Sequence, residues 1–375
     1  MSPRVLRLSL VLSVLLLVAA PSRRVEGAPL SGLRAWAGRS WRAAGKRLVK
    51  IRRAAGATLI SSLIEAASTV AGKLPFAQPG RYGIKLTKDV VYRAGSKDRA
   101  HQLDVYQPKA DGTPGKRPVV VYYPGGGFTS LSKNTHRTIA LEFAKRGYVV
   151  VVASYRRAPK NPYPAAHADA AEVLGWLKDN ADRIGADTSK LVLAGESAGA
   201  NIATSLALAA SYRRPEKWAQ KIFDSGLRPK AVLPACGILE LDNIERLTKA
   251  RGVSTLVSDR ITTVREAYIG KARRDVPGGT ELASPLSVLE KIARSKQTPQ
   301  RPLPAFFVGV GGKDPLLSDS QRLHHVAEKL GLDSKLAVYE GQGHAFQALV
   351  WKDASKRFYR DTFEFLDRAL KARSN

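Results

Sequence analysis

The pentapeptide Gly195-Glu196-Ser197-Ala198-Gly199 constrains this chain more than any other stretch. Directly before it, Leu191–Ala194 is a short apolar run that reads as a buried strand. Directly after it, Asn201–Ala210 reads as a helix. A Gly-x-Ser-x-Gly match alone is common by chance. Between a strand and a helix it makes a sharp turn that lifts the serine oxygen above the sheet. The oxygen then sits at the amino end of a helix, where developing negative charge is favoured. The glycines are required because side chains in so tight a turn would clash. Ser197 is therefore a candidate nucleophile. The competing reading is a glycine-rich strand-to-helix turn with an incidental serine.

The surrounding pattern fits that turn. Short β-branched runs at Pro118–Tyr123, Tyr148–Ser154, Leu191–Gly195, Ala231–Cys236, Pro304–Val310 and Lys335–Glu340 read as buried parallel strands. Helical stretches fall between and after them, at Thr138–Arg146, Ala166–Asn180, Ser318–Leu330 and Phe358–Leu370. Asp104–Pro108 reads as the end of a leading antiparallel strand. Such alternation predicts an α/β three-layer sandwich, a mostly parallel central sheet flanked by helices, over residues 80–375. The stretch 237–302 is too long for one crossover. It is expected to form a helical lid insertion above the carboxyl edge of the sheet.

A serine hydroxyl needs a base. On this kind of turn the partners follow in the order Ser, Asp or Glu, His. Only His324, His325 and His344 follow Ser197. The first two lie within a predicted helix, where solvent-facing or packing roles are expected. His344 lies in a loop just after a predicted strand, within reach of the serine. Asp314, in Gly312-Lys313-Asp314-Pro315-Leu316 after the preceding strand, is the candidate for orienting the imidazole. Asp319 and Asp242 are its rivals. Upstream, Gly125-Gly126-Gly127 follows another strand, and its backbone N–H groups can approach a ligand unobstructed. With the Ala198 N–H they are candidate oxyanion donors. The run lacks the spacing of a dinucleotide or phosphate loop.

These motifs together resemble the hormone-sensitive-lipase-like branch of the α/β-hydrolases, with its bacterial carboxylesterases. The similarity runs from about Tyr82 to the carboxyl end. It includes Asp104-Val105-Tyr106, the glycine run, Ser154-Tyr155-Arg156-Arg157-Ala158-Pro159 and Tyr163-Pro164-Ala165-Ala166. It continues through Gly195–Gly199 with Ala200-Asn201, Ala283-Ser284-Pro285-Leu286, Asp314-Pro315-Leu316 and Gly343-His344-Ala345-Phe346. The resemblance implies Gly126, Gly127 and Ala198 as the oxyanion donors, action on esters of short to medium acyl chains, and no cofactor. Two positions depart from the family. Pro124 stands where the family usually has His, and Lys160 where it has Glu. Pro124 is expected to brace the loop by fixing φ.

The expected reaction is ester cleavage through an acyl-enzyme on Ser197, with activity rising between about pH 5.5 and 8 as a free histidine near ~6.5 titrates. An amidase, formamidase or peptidase on the same residues is the nearest rival. A binding protein that kept the fold and lost turnover is another.

The 375-residue chain has one cysteine, Cys236, so it forms no internal disulfide and no Cys-cluster metal site. Its net charge of +29, from 61 basic and 32 acidic residues, favours anionic surfaces in general. No nucleic-acid motif accompanies that charge. Arg4 and Arg7 precede the apolar run Leu8–Ala20, and small residues surround Gly27-Ala28. This reads as an export signal over 1–27, giving a periplasmic or secreted bacterial protein. An uncleaved membrane anchor is the alternative. Residues 28–79 read as a basic, helical segment, and 28–73 could lie on an anionic membrane or envelope surface or equally pack over an active-site mouth; a linker with marginal helix is the competing reading.

Overall fold

Runs dominated by Val, Leu, Ala and aromatic residues form one eight-stranded sheet in the computed structural model. The structure describes residues 65–371 apart from 67, 69, 110–114, 251, 271–275 and 277, all within the second of two compact units, 64–375. The expected export signal, and the basic segment up to residue 64, lie outside the described residues.

The strands are β1 (Ile84–Val91), β2 (Gln102–Pro108), β3 (Arg117–Tyr123), β4 (Val149–Ala153), β5 (Ala186–Glu196), β6 (Ala231–Ala235), β7 (Ala305–Gly311) and β8 (Ser334–Tyr339). Their spatial order is 1-2-4-3-5-6-7-8. β2 pairs antiparallel with β1 and β4, and every other neighbouring pair is parallel. The helices are α1 (Arg137–Lys145), α2 (Ala165–Asn180), α3 (Ala198–Ser211), α4 (Lys217–Ser225), α5 (Glu245–Thr248), α6 (Thr255–Ile269), α7 (Pro285–Ser295), α8 (Leu317–Lys329) and α9 (Asp353–Ala369).

Alternate residues of the central strands face two separate apolar layers. Val119, Val121, Val149, Val151, Leu191 and Leu193 pack with α2, α3, α4, α7 and α8. Val120, Tyr122, Val150, Val152, Val192 and Ala194 pack with α1 and α9. Burial on both faces is why these strands read as continuous apolar runs rather than alternating ones. Every residue of α3 is buried. Its small side chains, mostly Ala, let it lie close against the sheet with other helices outside it.

All six strands expected from sequence are present, with ends shifted by a few residues. β1 was not legible. It is an edge strand with a half-exposed pattern, carries Lys85 and Lys88, and breaks register between Thr87 and Val90. The connection between β6 and β7 holds α5, α6 and α7.

β3 and β5 are neighbours, aligned with Tyr123 opposite Gly195. The chain leaves β3 toward β4 on one side and leaves β5 toward β6 on the other. The carboxyl ends of these two strands therefore border the crevice where open α/β sheets receive ligands. β3 delivers the glycine run there and β5 delivers Ser197.

Candidate active site

Ser197 sits between β5 and α3 with φ 54° and ψ −114°, a backbone conformation that side-chain-bearing residues seldom adopt. The turn is held by its main chain. Ser197 N–H donates to Ala235 O at 3.0 Å, and Ile238 N–H donates to Ser197 O at 3.3 Å. A Cβ at Gly199 would overlap the Tyr123 carbonyl, so the crossing of helix and strand needs glycine there. Asn201, in the first turn of α3, donates to Ile238 O at 2.7 Å and Ala283 O at 2.9 Å, tying the turn to the β6–β7 connection.

His344, in the loop after β8, bonds Asp314 through Nδ1, at 2.9 Å to Oδ2 and 3.1 Å to Oδ1. Asp314 lies just after β7, and its side chain is fully buried. Its Oδ1 also accepts from Leu316 N–H at 2.8 Å. The rival acids are placed elsewhere. Asp319 lies inside α8, accepts from Leu239 N–H at 2.9 Å and pairs with Arg246. Burial pushes its carboxyl up to about 6, against the pull of Arg246 and the Leu239 N–H. The Asp242 N–H donates to Ser284 Oγ at 3.1 Å. His324 is in α8 and bonds Ser334.

Cys236 is the third member of the His344 cluster. A ring nitrogen of His344, an Asp314 carboxylate oxygen and Cys236 Sγ all lie within 4.8 Å of one another. Cys236 is 1% exposed and follows Ala235, the acceptor of the Ser197 N–H. The elbow and the imidazole therefore flank one cysteine. Loss of water works against a charged His344 ring. The Cys236 sulfur and the Asp314 carboxylate work for it, and the imidazole is held well above the ordinary histidine value. Burial pushes the Cys236 thiol up, against the pull of His344. Among the described residues Ser197 Oγ makes no hydrogen bond, so the hydroxyl-to-imidazole contact expected from sequence is not formed in this state. Resting sites commonly show such contacts long or unmade.

The glycine run is held by groups that sequence reasoning missed. Glu196, the variable position of the pentapeptide, is buried and accepts three bonds of 2.6 Å, from Gly125 N–H, Tyr122 Oη and His136 Nε2. Burial alone would raise its carboxyl, but His136 with Tyr122 and the Gly125 N–H outweighs this, and the net shift is downward. Tyr155 Oη donates to Pro124 O at 2.7 Å, and Ala158 N–H donates to Phe128 O at 2.9 Å. The Ser154–Pro159 segment thus braces the loop from the other side. The contact the structure gives Pro124 is through its carbonyl, which accepts from Tyr155. Lys160 is exposed.

Gly126 has φ +97° and Gly127 φ +62°. Among the described residues neither N–H donates to a protein acceptor. Ala198, first residue of α3, has the N–H that helix geometry leaves without an internal partner. The loop is covered by α6. A Cβ at Gly127 would meet Val264 at 2.5 Å, and Tyr268 stacks on Phe128 with centroids 3.7 Å apart.

A family model described as alpha/beta hydrolase fold matches residues 120–348. Esterase LipQ of Mycobacterium tuberculosis is 28% identical over 247 residues, 65% of this chain and 52% of that protein, so the chain spans about half the length of that relative. The 2-hydroxyisoflavanone dehydratase of Glycyrrhiza echinata is 28% identical over 285 residues, 70% of this chain and 78% of its own. Among solved structures, esterase LipW from Mycobacterium marinum superposes with a TM-score of 0.66 at 24% identity, covering 85% of this chain and 91% of that one. That likeness concerns the fold.

Proposed function

The chain belongs to the alpha/beta hydrolase family, and on that premise we propose that it hydrolyses carboxylic esters through Ser197, His344 and Asp314. The observation that carries the reading is the His344–Asp314 pair and a positive-φ serine on either side of Cys236, with amide donors on the glycine loop that are unpaired among the described residues.

In this reading a rotation of the His344 side chain brings Nε2 to Ser197 Oγ. The loop position of His344, about one-third exposed, leaves room for it. Ser197 Oγ attacks the ester carbonyl as Nε2 takes its proton. The N–H groups of Gly126, Gly127 and Ala198 hold the oxyanion. Collapse breaks the ester bond, and the leaving alkoxide takes the proton from His344. Water then attacks the acyl-Ser197 with His344 again as base, releasing the acid and restoring the serine. Asp314 fixes the tautomer and stabilises the imidazolium. Small-molecule esters of short to medium acyl chains are the proposed substrates, in keeping with the family resemblance.

A purified Ser197→Ala protein should lose at least ~10³-fold in kcat on p-nitrophenyl acetate, leaving only what the oxyanion donors and binding supply. Cleavage at the wild-type rate would end the reading. A series of esters of graded acyl length, with matched amides, defines the preference.

A further inference from the structure

We infer that Arg260 makes this site selective for esters that carry a carboxylate close to the scissile carbonyl, an inference that rests on the ester-hydrolase reading above. Arg260 projects from α6 onto the glycine loop. Its Nη2 donates to Gly126 O at 3.1 Å and Thr129 Oγ1 at 3.2 Å, and lies 3.2 Å from where a Cβ on Gly127 would stand. The guanidinium is thus anchored on Gly126 and Thr129 and lies against Gly127, beside the candidate oxyanion donors.

Several other half-buried guanidinium groups have carboxylate partners. Arg93 and Arg156 share Asp169, and Arg246 and Arg322 share Glu240. Among the described residues no carboxylate lies within ion-pairing distance of Arg260. Its withdrawal from water, which holds its pKa below the ordinary arginine value, is offset by no protein anion. Its Nε and Nη1 donate to no acceptor among the described residues and are not sealed from solvent. One arm therefore fixes the plane of the guanidinium while the remaining donors stay open.

A planar fork of that kind matches a carboxylate, which can accept two parallel bonds. Securing a backbone carbonyl needs only a neutral donor, whereas an unmatched, partly desolvated cation suits an anion supplied by the ligand. A molecule whose ester carbonyl rests on the Gly126 and Gly127 amides would place a nearby carboxylate against this group. Half-esters of dicarboxylic acids, and esters of hydroxy-carboxylic acids, have that form.

The test compares kcat/KM for neutral 4-nitrophenyl butyrate with two anionic probes, mono-4-nitrophenyl glutarate and 4-butyryloxybenzoate. These carry the carboxylate on the acyl and leaving sides respectively. Arg260→Gln should lower the anionic-to-neutral ratio for at least one probe about 10- to 100-fold, the loss typical of a hydrogen bond to a charged group. Arg260→Lys should recover part of it. Raising salt from about 0.05 to about 0.5 M should shrink the wild-type ratio. Arg183→Gln removes an equal charge at the amino end of β5, away from the site, and should leave the ratio within about 2-fold, because general attraction by a cationic surface is screened and diffuse. An unchanged ratio in Arg260→Gln, an equal fall for neutral and anionic esters, or the same fall in Arg183→Gln each overturns the inference while the hydrolase reading stands. If no ester is cleaved and a fluorophosphonate leaves Ser197 unlabelled, the hydrolase reading fails and takes this inference with it.

Discussion

At Ser197 the backbone is held in a strained region by bonds to both sides of Cys236. His344 sets the pH behaviour. A general base must be neutral, and this ring is held above the ordinary value of 6.5. The limb of kcat/KM should accordingly rise at a pH above 6.5, higher than the rise between about pH 5.5 and 8 expected for an unperturbed histidine. A pH–rate profile with its midpoint below 6.5 would contradict this. Asp314→Asn should move the limb toward acid and cost about 10⁴-fold in kcat, because the tautomer is lost with the charge. Cys236→Ala should move the limb toward the ordinary histidine range, because the Cys236 sulfur is the foremost of the influences that raise the ring.

At the scale of elements, the turn after β3 and the turn after β5 are joined through one buried carboxylate. Glu196 reaches from the β5 turn to the Gly125 N–H, and His136 and Tyr122 complete its partners. Glu196→Ala strands three buried polar groups and should cost about 3–5 kcal/mol, read by chemical denaturation. The loss should be smaller for Glu196→Gln, which keeps one acceptor. The pH dependence of this pair has a definite sign. Glu196 is depressed, so its contribution is present above the ordinary 4.5 and fades as pH falls through the folded value. His136 loses on burial but gains more from Glu196, and its raised value makes its contribution full below 6.5 and lost as pH rises through the folded value. The stability difference between wild type and His136→Ala should therefore peak between pH 4.5 and 6.5. A difference that grows steadily toward pH 9 would refute the pairing.

For the whole molecule, the strand order 1-2-4-3-5-6-7-8 brings segments near residues 126, 197, 236, 260, 314 and 344 to one edge of the sheet. An exported protein should have a mature amino terminus at or near Ala28, and a terminus still at Met1 after secretion-competent expression would argue for the anchor. If residues 28–73 contact anionic envelope surfaces, their deletion should reduce sedimentation with phosphatidylglycerol vesicles. Unchanged sedimentation would remove that proposal.

The amino-acid order by itself determined the alternating elements, the strand–turn–helix around Ser197 and the candidacy of His344 and Asp314. Each is a local property: apolar period, glycine placement, and the order in which residues follow strands. The weakly patterned edge strand β1 escaped because half-exposed residues leave little periodic signal. Glu196, His136, Cys236 and Arg260 escaped for another reason. Their importance lies in contacts between segments tens of residues apart, and nothing adjacent to them in sequence encodes those partners. Only the packed sheet decided that a glutamate inside the pentapeptide holds the opposite glycine loop, that a lone cysteine abuts the imidazole, and that one arginine on α6 has no carboxylate partner among the described residues. Proximity in space, set by the parallel pairing of β3 with β5, is what turns those side chains into a site.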